Sequence, residues 1–254
     1  IALARTSGIA CGTARNCGHI GRLGEYTERI AADGLAALLT VNDNGVFRCV
    51  APPGGIEPRV STNPLSLAVP LADGPLVYDA STSVVAQGKV MVRRFAGEPC
   101  PEGWLLDSAG APTTDPHVVV ADPPGTLLPL GGIAAHKGFG LSLLLDVLVG
   151  GLSGGFCPPP AEAARMCNNV LLVVWDAERF FGREHLQEQG DRLVESIRNC
   201  PRQDGVETIR LPGDASRGIR AERRREGIPL DDGNWQALAD TASARGVTIP
   251  EPIG

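Results

Sequence analysis

The chain has 254 residues, enough for one large domain or two intimate smaller ones, and a core of that size needs no disulfide or metal staple. Hydrophobic residues at 43% and charged residues at 20% exclude a disordered chain, and 32 glycines with 21 prolines in no triplet period exclude collagen. The formal charge of -6 excludes a generic nucleic-acid binder, which would gain from the opposite sign.

Ile1–Arg5 reads as the tail of a helix stopped at Gly8, so the sequence is expected to begin partway through a fold. Ile9–Ala14 is a short run of apolar and small residues suited to a buried strand. Leu23, Tyr26, Thr27, Ile30 and Ala31 follow helical spacing, with Gly34 as the stop. Leu35–Val41 predicts another strand, and residues 42–64, rich in Asn, Gly and Pro, cannot be helical. Leu65–Val69 and Leu76–Tyr78 predict short strands around the turn Ala72-Asp-Gly-Pro, and Thr82–Phe95 predicts a helix. A turn-rich stretch over 98–116 leads to Ala135–Val149, read as a buried helix; its apolar part, Phe139–Leu152, is too short to span a bilayer and contains Asp146. Val170–Trp175 predicts a central strand. Helical patterns follow around Glu184–Asn199, Ser216–Glu226 and Asn234–Arg245. In the second of these Arg220 and Arg223–Arg225 alternate with Glu222 and Glu226, as a solvated face does. Irregular alternation of helices and strands makes the class α/β or α+β. Seven cysteines without any C-x-x-C indicate neither a zinc site nor a disulfide framework, so no metal is expected and a reducing, cytoplasmic setting is.

Four segments are placed to carry chemistry. Asn16-Cys-Gly-His19-Ile-Gly21-Arg22 lies between a strand and a helix, where unpaired helix N–H groups suit an anion. His19 there is an acid–base group or, equally, a helix cap. In Leu76-Val-Tyr-Asp79-Ala-Ser81-Thr82-Ser83 a strand leads into three hydroxyl residues that either cap a helix or hold a pyrophosphate. Gly131-Gly-Ile-Ala-Ala-His136-Lys137-Gly138 sets two cations at the start of an apolar helix, against the helix dipole, which points to an anion above it. Leu211-Pro-Gly-Asp214 is by itself a turn, and Asp107 and Asp115 by themselves fit Asx-turns. Neither the G-x-G-x-x-G fingerprint nor a P-loop occurs. Two phosphate-sized sites and a histidine point to a nucleotide cofactor.

Together these segments resemble the type 2 malate/L-lactate dehydrogenase family, nearest to its hydroxycarboxylate dehydrogenase members. The carriers, in family order, are Asn16-x-x-His19-Ile-Gly-Arg-Leu-Gly-Glu-Tyr, Ala51-Pro-Pro-Gly-Gly, Thr62-Asn63-Pro64, Asp79-Ala-Ser-Thr-Ser, Leu106-Asp107-Ser-Ala-Gly-Ala-Pro-Thr-Thr-Asp-Pro, His136-Lys-Gly and Leu211-Pro-Gly-Asp. The resemblance implies a non-Rossmann α/β fold with a mixed sheet flanked by helices. It divides the chain into residues 1–42, the remainder of an N-terminal substrate domain, 43–178, the NAD(P)-binding domain, and 179–254, a helical part returning to the first. It implies hydride transfer between NAD, or NADP, and the C2 carbon of a small 2-oxo or 2-hydroxy acid, by a homodimer with no membrane or nucleic-acid partner. His19 and Asp107 would be catalytic. Gly21, Arg22, Leu23, Tyr78, Asp79, Ala80, Ser81, Thr82, His136, Lys137, Pro212, Gly213 and Asp214 would contact the dinucleotide, and Thr62 and Asn63 the substrate or nicotinamide. Ser61 and Asp214 stand where the family usually has Gly and Glu. The family's Asp-Ser-His-Gly motif is absent, since none of the four histidines follows Ser. That implies a fragment or a site that has lost part of its machinery. The alternatives are a cyclic imine-2-carboxylate reductase and a catalytically incomplete dinucleotide-binding fragment.

Overall fold

In the computed structural model, which describes residues 1–230 and 232–252, helix α1 (Ala2–Ser7) ends at Gly8, whose φ of 84° supplies the left-handed stop. Strand β1 (Ile9–Cys17) leads through a loop to α2 (Leu23–Ala32), β2 (Ala36–Asn42), and the hairpin β3 (Leu65–Val69) and β4 (Leu76–Ala80). Then come α3 (Gln87–Ala96), the short strands β5 (Leu105–Leu106), β6 (Pro112–Thr113) and β7 (Thr126–Leu127), and the long α4 (Ala135–Ser153). Strand β8 (Asn168–Trp175) and helices α5 (Arg183–Arg198), α6 (Asp214–Glu226) and α7 (Asp232–Ala244) close the described chain.

Five strands form one sheet in the order β1-β8-β2-β3-β4 and three form a second, β6-β5-β7. The α/β class holds, and where mixed strand directions were expected every ladder is antiparallel. The large sheet takes strands from both sides of residue 42, so that boundary does not separate two sheets. Because side chains alternate across a strand, Ala37, Leu39, Val41, Val170, Leu172 and Val174 share one face and pack on Ala4, Leu23 and Ile30 of α1 and α2. The opposite face meets α4, with Asn42 and Asn169 directly paired beneath it. A separate cluster of Cys49, Val50, Val60, Val85, Val90, Cys100, Leu105 and Leu127 holds the small sheet against α3.

Three local expectations change. Strand β1 is exposed along most of its length, because it is the edge strand rather than an interior one. Residues Thr82–Ala86 are a bent, irregular segment with one isolated bridge from Ser83 to Pro129, not a helix. Ser81 Oγ donates to the Ser83 carbonyl, Ser83 Oγ to the Val85 carbonyl and Thr82 Oγ1 to the Thr62 carbonyl, so hydroxyls that could have capped a helix hold the bends instead. Helix α4 is longer and less buried than expected. The helical run Gly132–Ser153 has 22 residues, long and apolar enough by length and composition to cross a membrane. Here Leu145, Asp146 and Val149 are buried against the sheet while Leu144, Val147, Leu148 and Leu152 are exposed. Gly151-Leu-Ser153-Gly-Gly matches the letters of a nucleophile elbow, but it closes this helix, with Gly154 at φ 72°, and follows no strand.

Candidate active site

A cavity of about 790 Å³ opens where the ends of β2 and β4 face the small sheet and α3. Its wall is built from residues 19–23 after β1, 41–43 at the end of β2, 61–64, 79–81 at the end of β4, and 83–89 leading into α3, with Phe47, Trp104 and Leu130 as apolar cover. Of the residues singled out from sequence, His19, Gly21, Arg22, Leu23, Thr62, Asn63, Asp79, Ala80 and Ser81 all line it.

His19 sits on a loop fixed from several sides. Asn168 Nδ2 donates to the Gly18 carbonyl at 3.2 Å and Tyr26 Oη to the Ile20 carbonyl at 2.7 Å. Gly21, at φ 80°, turns its N–H onto His19 Nδ1 at 3.1 Å. A ring nitrogen that accepts from a backbone N–H must carry its lone pair there, so the neutral ring holds its proton on Nε2. His19 does not cap α2, whose N-cap Arg22 has no side-chain cap bond; its Nδ1 braces the loop instead, and Nε2–H is left over for a ligand.

The first turn of α2 is already supplied with an anion. Asp79 Oδ2 accepts the Gly24 N–H at 2.8 Å and lies 3.9 Å from Arg22. Arg22 also donates to Glu28 at 2.8 Å, and Arg220 of α6 grips Glu28 through two bonds of 2.7 and 2.8 Å. Burial would raise the Glu28 pKa, but the hydrogen bonds from Arg220 and Arg22 outweigh it and hold the carboxyl below its ordinary value.

Below the cavity floor lies a polar network that the sequence did not announce. Asp146 of α4 is almost fully buried, and its two oxygens accept from Asn42 Nδ2 at 2.8 Å and Asn63 Nδ2 at 2.7 Å. A carboxylate accepts only, so each asparagine must present its NH2 to Asp146 and aim its oxygen elsewhere. Asn42 Oδ1 takes Asn169 Nδ2 at 2.9 Å, whereas buried Asn63 Oδ1 on the cavity wall has no protein partner. Gln87 Oε1 and Asp43 Oδ2 on the same wall are likewise unpartnered. Burial, and next the charge of Asp146, push the Asp43 carboxyl up to about 6; burial also raises Asp146. The signals were a lone carboxylate in the apolar run of α4 and an Asn-Asp-Asn-Gly cluster read only as a loop.

The family model of malate/L-lactate dehydrogenases matches residues 1–239. The chain belongs to the malate/L-lactate dehydrogenase family. Hydroxycarboxylate dehydrogenase B of Escherichia coli is 36% identical over 255 residues, 98% of this chain and 68% of that protein. The (2R)-3-sulfolactate dehydrogenase (NADP(+)) of Chromohalobacter salexigens is 36% identical over 234 residues, 88% of this chain and 64% of that one. Malate dehydrogenase from Pyrococcus horikoshii superposes with a TM-score of 0.83 at 30% identity, covering 96% of this chain and 68% of that structure. The resemblance carried by the ordered motifs thus holds, over about two thirds of these relatives' length.

Eight of the expected site residues are not brought to this cavity in this family member. Asp107 accepts the Ala109 and Ala111 N–H groups at 2.9 Å each, an Asx-turn in the β5–β6 hairpin rather than an orienter of His19. Tyr78 points from the exposed face of β4, and Thr82 is buried, tied to Thr62. His136 and Lys137 stand exposed on the first turn of α4. Asp214 caps its own turn by accepting the Leu211 N–H at 2.8 Å and pairs with Arg217; that backbone bond first, and then the Arg217 and Arg198 charges, overcome burial and lower its pKa. Pro212 lies in the same turn, whereas Gly213 borders a small crevice shared with Arg22 and Arg220 beside the main cavity. Among the described residues no cluster of metal-ligating side chains occurs, and all seven cysteines are free thiols.

Proposed function

We propose that this protein is a hydroxycarboxylate dehydrogenase that reversibly reduces a small 2-oxo acid at C2 with a nicotinamide dinucleotide, NAD in the first instance. The observation that carries the proposal is His19 Nε2–H on the wall of a ligand-sized cavity whose buried rim offers unpartnered acceptors. Those acceptors suit the cofactor: a nicotinamide carboxamide brings two N–H donors, and Asn63 Oδ1 and Gln87 Oε1 have none. Gly21, Arg22, Leu23 and Asp79–Ser81 would hold the dinucleotide, with Thr62 and Asn63 at its nicotinamide end. When bound, the cofactor supplies or receives the hydride. The chain orients the substrate and polarises it: His19 Nε2–H donates to the substrate oxygen, and Lys89 on the same wall attracts the carboxylate. Glu28 pairs with both Arg22 and Arg220, and Asp79 and Glu25 stand beside them in turn, so neither arginine is left over for a 2′-phosphate, which favours NAD over its 2′-phosphorylated form.

The test is oxidation of NADH and NADPH with a panel of 2-oxo acids. Wild-type protein is expected to turn over with NADH, and His19→Asn to lose about 10²-fold or more while keeping its melting temperature, because the ring is exposed. Turnover with no 2-oxo acid would refute the proposal. The exposed Leu144, Val147, Leu148 and Leu152 support a homodimer, and sedimentation velocity showing only monomer would count against it.

A further inference from the structure

Reduction of a 2-oxo acid consumes a proton, and His19 is not set up to supply it. Nδ1 accepts from Gly21, so a second ring proton would have to break that bond, and without one the ring offers Nε2–H as a hydrogen bond rather than as a proton to transfer. Asp43 is set up differently. It follows directly on β2 and lines the same cavity. Oδ1 accepts the Gly45 N–H at 3.2 Å, while Oδ2 is buried with no protein partner. A proton on this carboxyl therefore sits on Oδ2, where no protein group among the described residues accepts it.

The neighbouring charges favour a proton at that position. Asp146 has amide donors on both oxygens and keeps the negative charge of the pair, which leaves Asp43 to bind the proton. The nearby thiols of Cys49 and Cys157 are both raised by burial and stay neutral. Across the cavity stand His19, Arg22, Asp79 and Lys89, with Arg22 and Asp79 engaged with Glu28 and Gly24.

We propose that Asp43 is a second acid–base group of this cavity, whose Oδ2 proton passes to the carbonyl oxygen of the 2-oxo acid as hydride reaches C2. The hydride brings the pair that forms the new C–H bond, and the C=O π pair moves onto oxygen. The Asp43 O–H bond breaks as the substrate hydroxyl forms, leaving a carboxylate that solvent reprotonates. In the oxidation direction the same carboxylate takes the hydroxyl proton. The inference rests on the proposed reaction, and its test separates the two.

Two measurements decide it. In ligand-free protein labelled with ¹³C at the aspartate carboxyls, one resonance should titrate with a midpoint near pH 6, and Asp43→Asn should remove it. In steady-state reduction, wild-type kcat/KM should fall by about tenfold per pH unit above that midpoint. Asp43→Asn should be about 10²- to 10⁴-fold slower below it and lose this dependence, whereas His19→Asn should keep it. Turnover with an unchanged Asp43→Asn profile overturns the inference alone. So does a wild-type spectrum in which no aspartate carboxyl titrates above pH 5, which requires no variant to fold. Absence of turnover while the resonance titrates overturns the reaction, and the step with it.

Discussion

A buried carboxylate with one unsatisfied oxygen should weaken the fold, and at Asp43 the size of the effect follows from its titration. Its carboxyl is raised from 3.8 to about 6, chiefly by burial and secondarily by Asp146. Below pH 4 the group is protonated in both folded and unfolded chains and costs nothing. Between about pH 4 and 6 the folded chain holds a proton that the unfolded chain has released, so stability falls as pH rises. Above pH 6 both are ionised and the full penalty persists. The shift corresponds to about 3 kcal/mol at 1.36 kcal/mol per unit, and to about 2 to 3 kcal/mol once water at the cavity mouth is allowed for. Asp43→Asn keeps the Oδ1 acceptor for Gly45 and removes the charge. The variant should therefore be more stable than wild type by about 2 to 3 kcal/mol at pH 8, and by about 1 kcal/mol or less at pH 4.5. Equilibrium urea unfolding at the two pH values reads the difference directly, provided the m-values agree. Equal stability at pH 8, or a gap that does not shrink on acidification, would refute the reasoning. A gain in stability joined to a loss of activity is the pattern expected where a local rule is broken for function.

Three further substitutions probe the supports of the cavity. Asp146→Ala leaves the Asn42 amide with only the Phe156 carbonyl and the Asn63 amide with only Ser142, and should destabilise by about 1 to 3 kcal/mol in urea, a variant as stable as wild type showing instead that removing a buried charge outweighs the lost bonds. Asp79→Ala uncaps α2 and should lower stability by about 1 kcal/mol; an unchanged melt with NADH affinity weakened more than about tenfold would assign Asp79 to the dinucleotide instead. At Gly138 an added Cβ would lie 2.2 Å from the Leu130 carbonyl oxygen, so Gly138→Ala should push α4 off the Leu130 turn and cost about 1 to 3 kcal/mol, whereas a urea midpoint equal to wild type would mean the helix start yields freely.

What the sequence made legible is what depends on neighbours along the chain. The runs Leu35–Val41 and Val170–Trp175 are central strands because both faces are covered, which is why they lack alternation. The spacing from Leu23 to Ala31 put one apolar face on α2, and Gly34 ended it. The whole of His19–Leu23 and the pair Thr62-Asn63 reached the cavity, since a loop between strand and helix faces a crevice whatever the topology. Not legible was which group answers which helix start. Asp79 fills the first turn of α2 across 55 positions, and Asn42 meets Asp146 across 104. Hydroxyls at 81–83 could serve a helix cap or a carbonyl equally well, and only the approach of the Thr62 and Pro129 segments decides between them.

The same distance in sequence explains why one carboxylate in α4 matters to a cavity it does not line. Apolar packing against β2 and β8 would be satisfied by leucine at position 146 as well as by aspartate, so packing gives no cause for a charge there. The charge has a different effect: it dictates the orientation of two amides. Each must give Asp146 its NH2, and Asn63 is further locked because the same NH2 reaches Ser142 Oγ at 3.0 Å. With that end committed, the oxygen of Asn63 is the only face left for the cavity, and the wall there is an acceptor by necessity rather than by rotamer chance. An amide at 146 would meet one of its partners donor to donor and release that constraint. Asp146 also raises Asp43, so a single buried charge fixes an acceptor at one point of the wall and a proton-binding group at another. A ligand matched to both brings N–H donors to Asn63 and an oxygen in need of a proton to Asp43, the pair of demands that a nicotinamide and a 2-oxo acid make together.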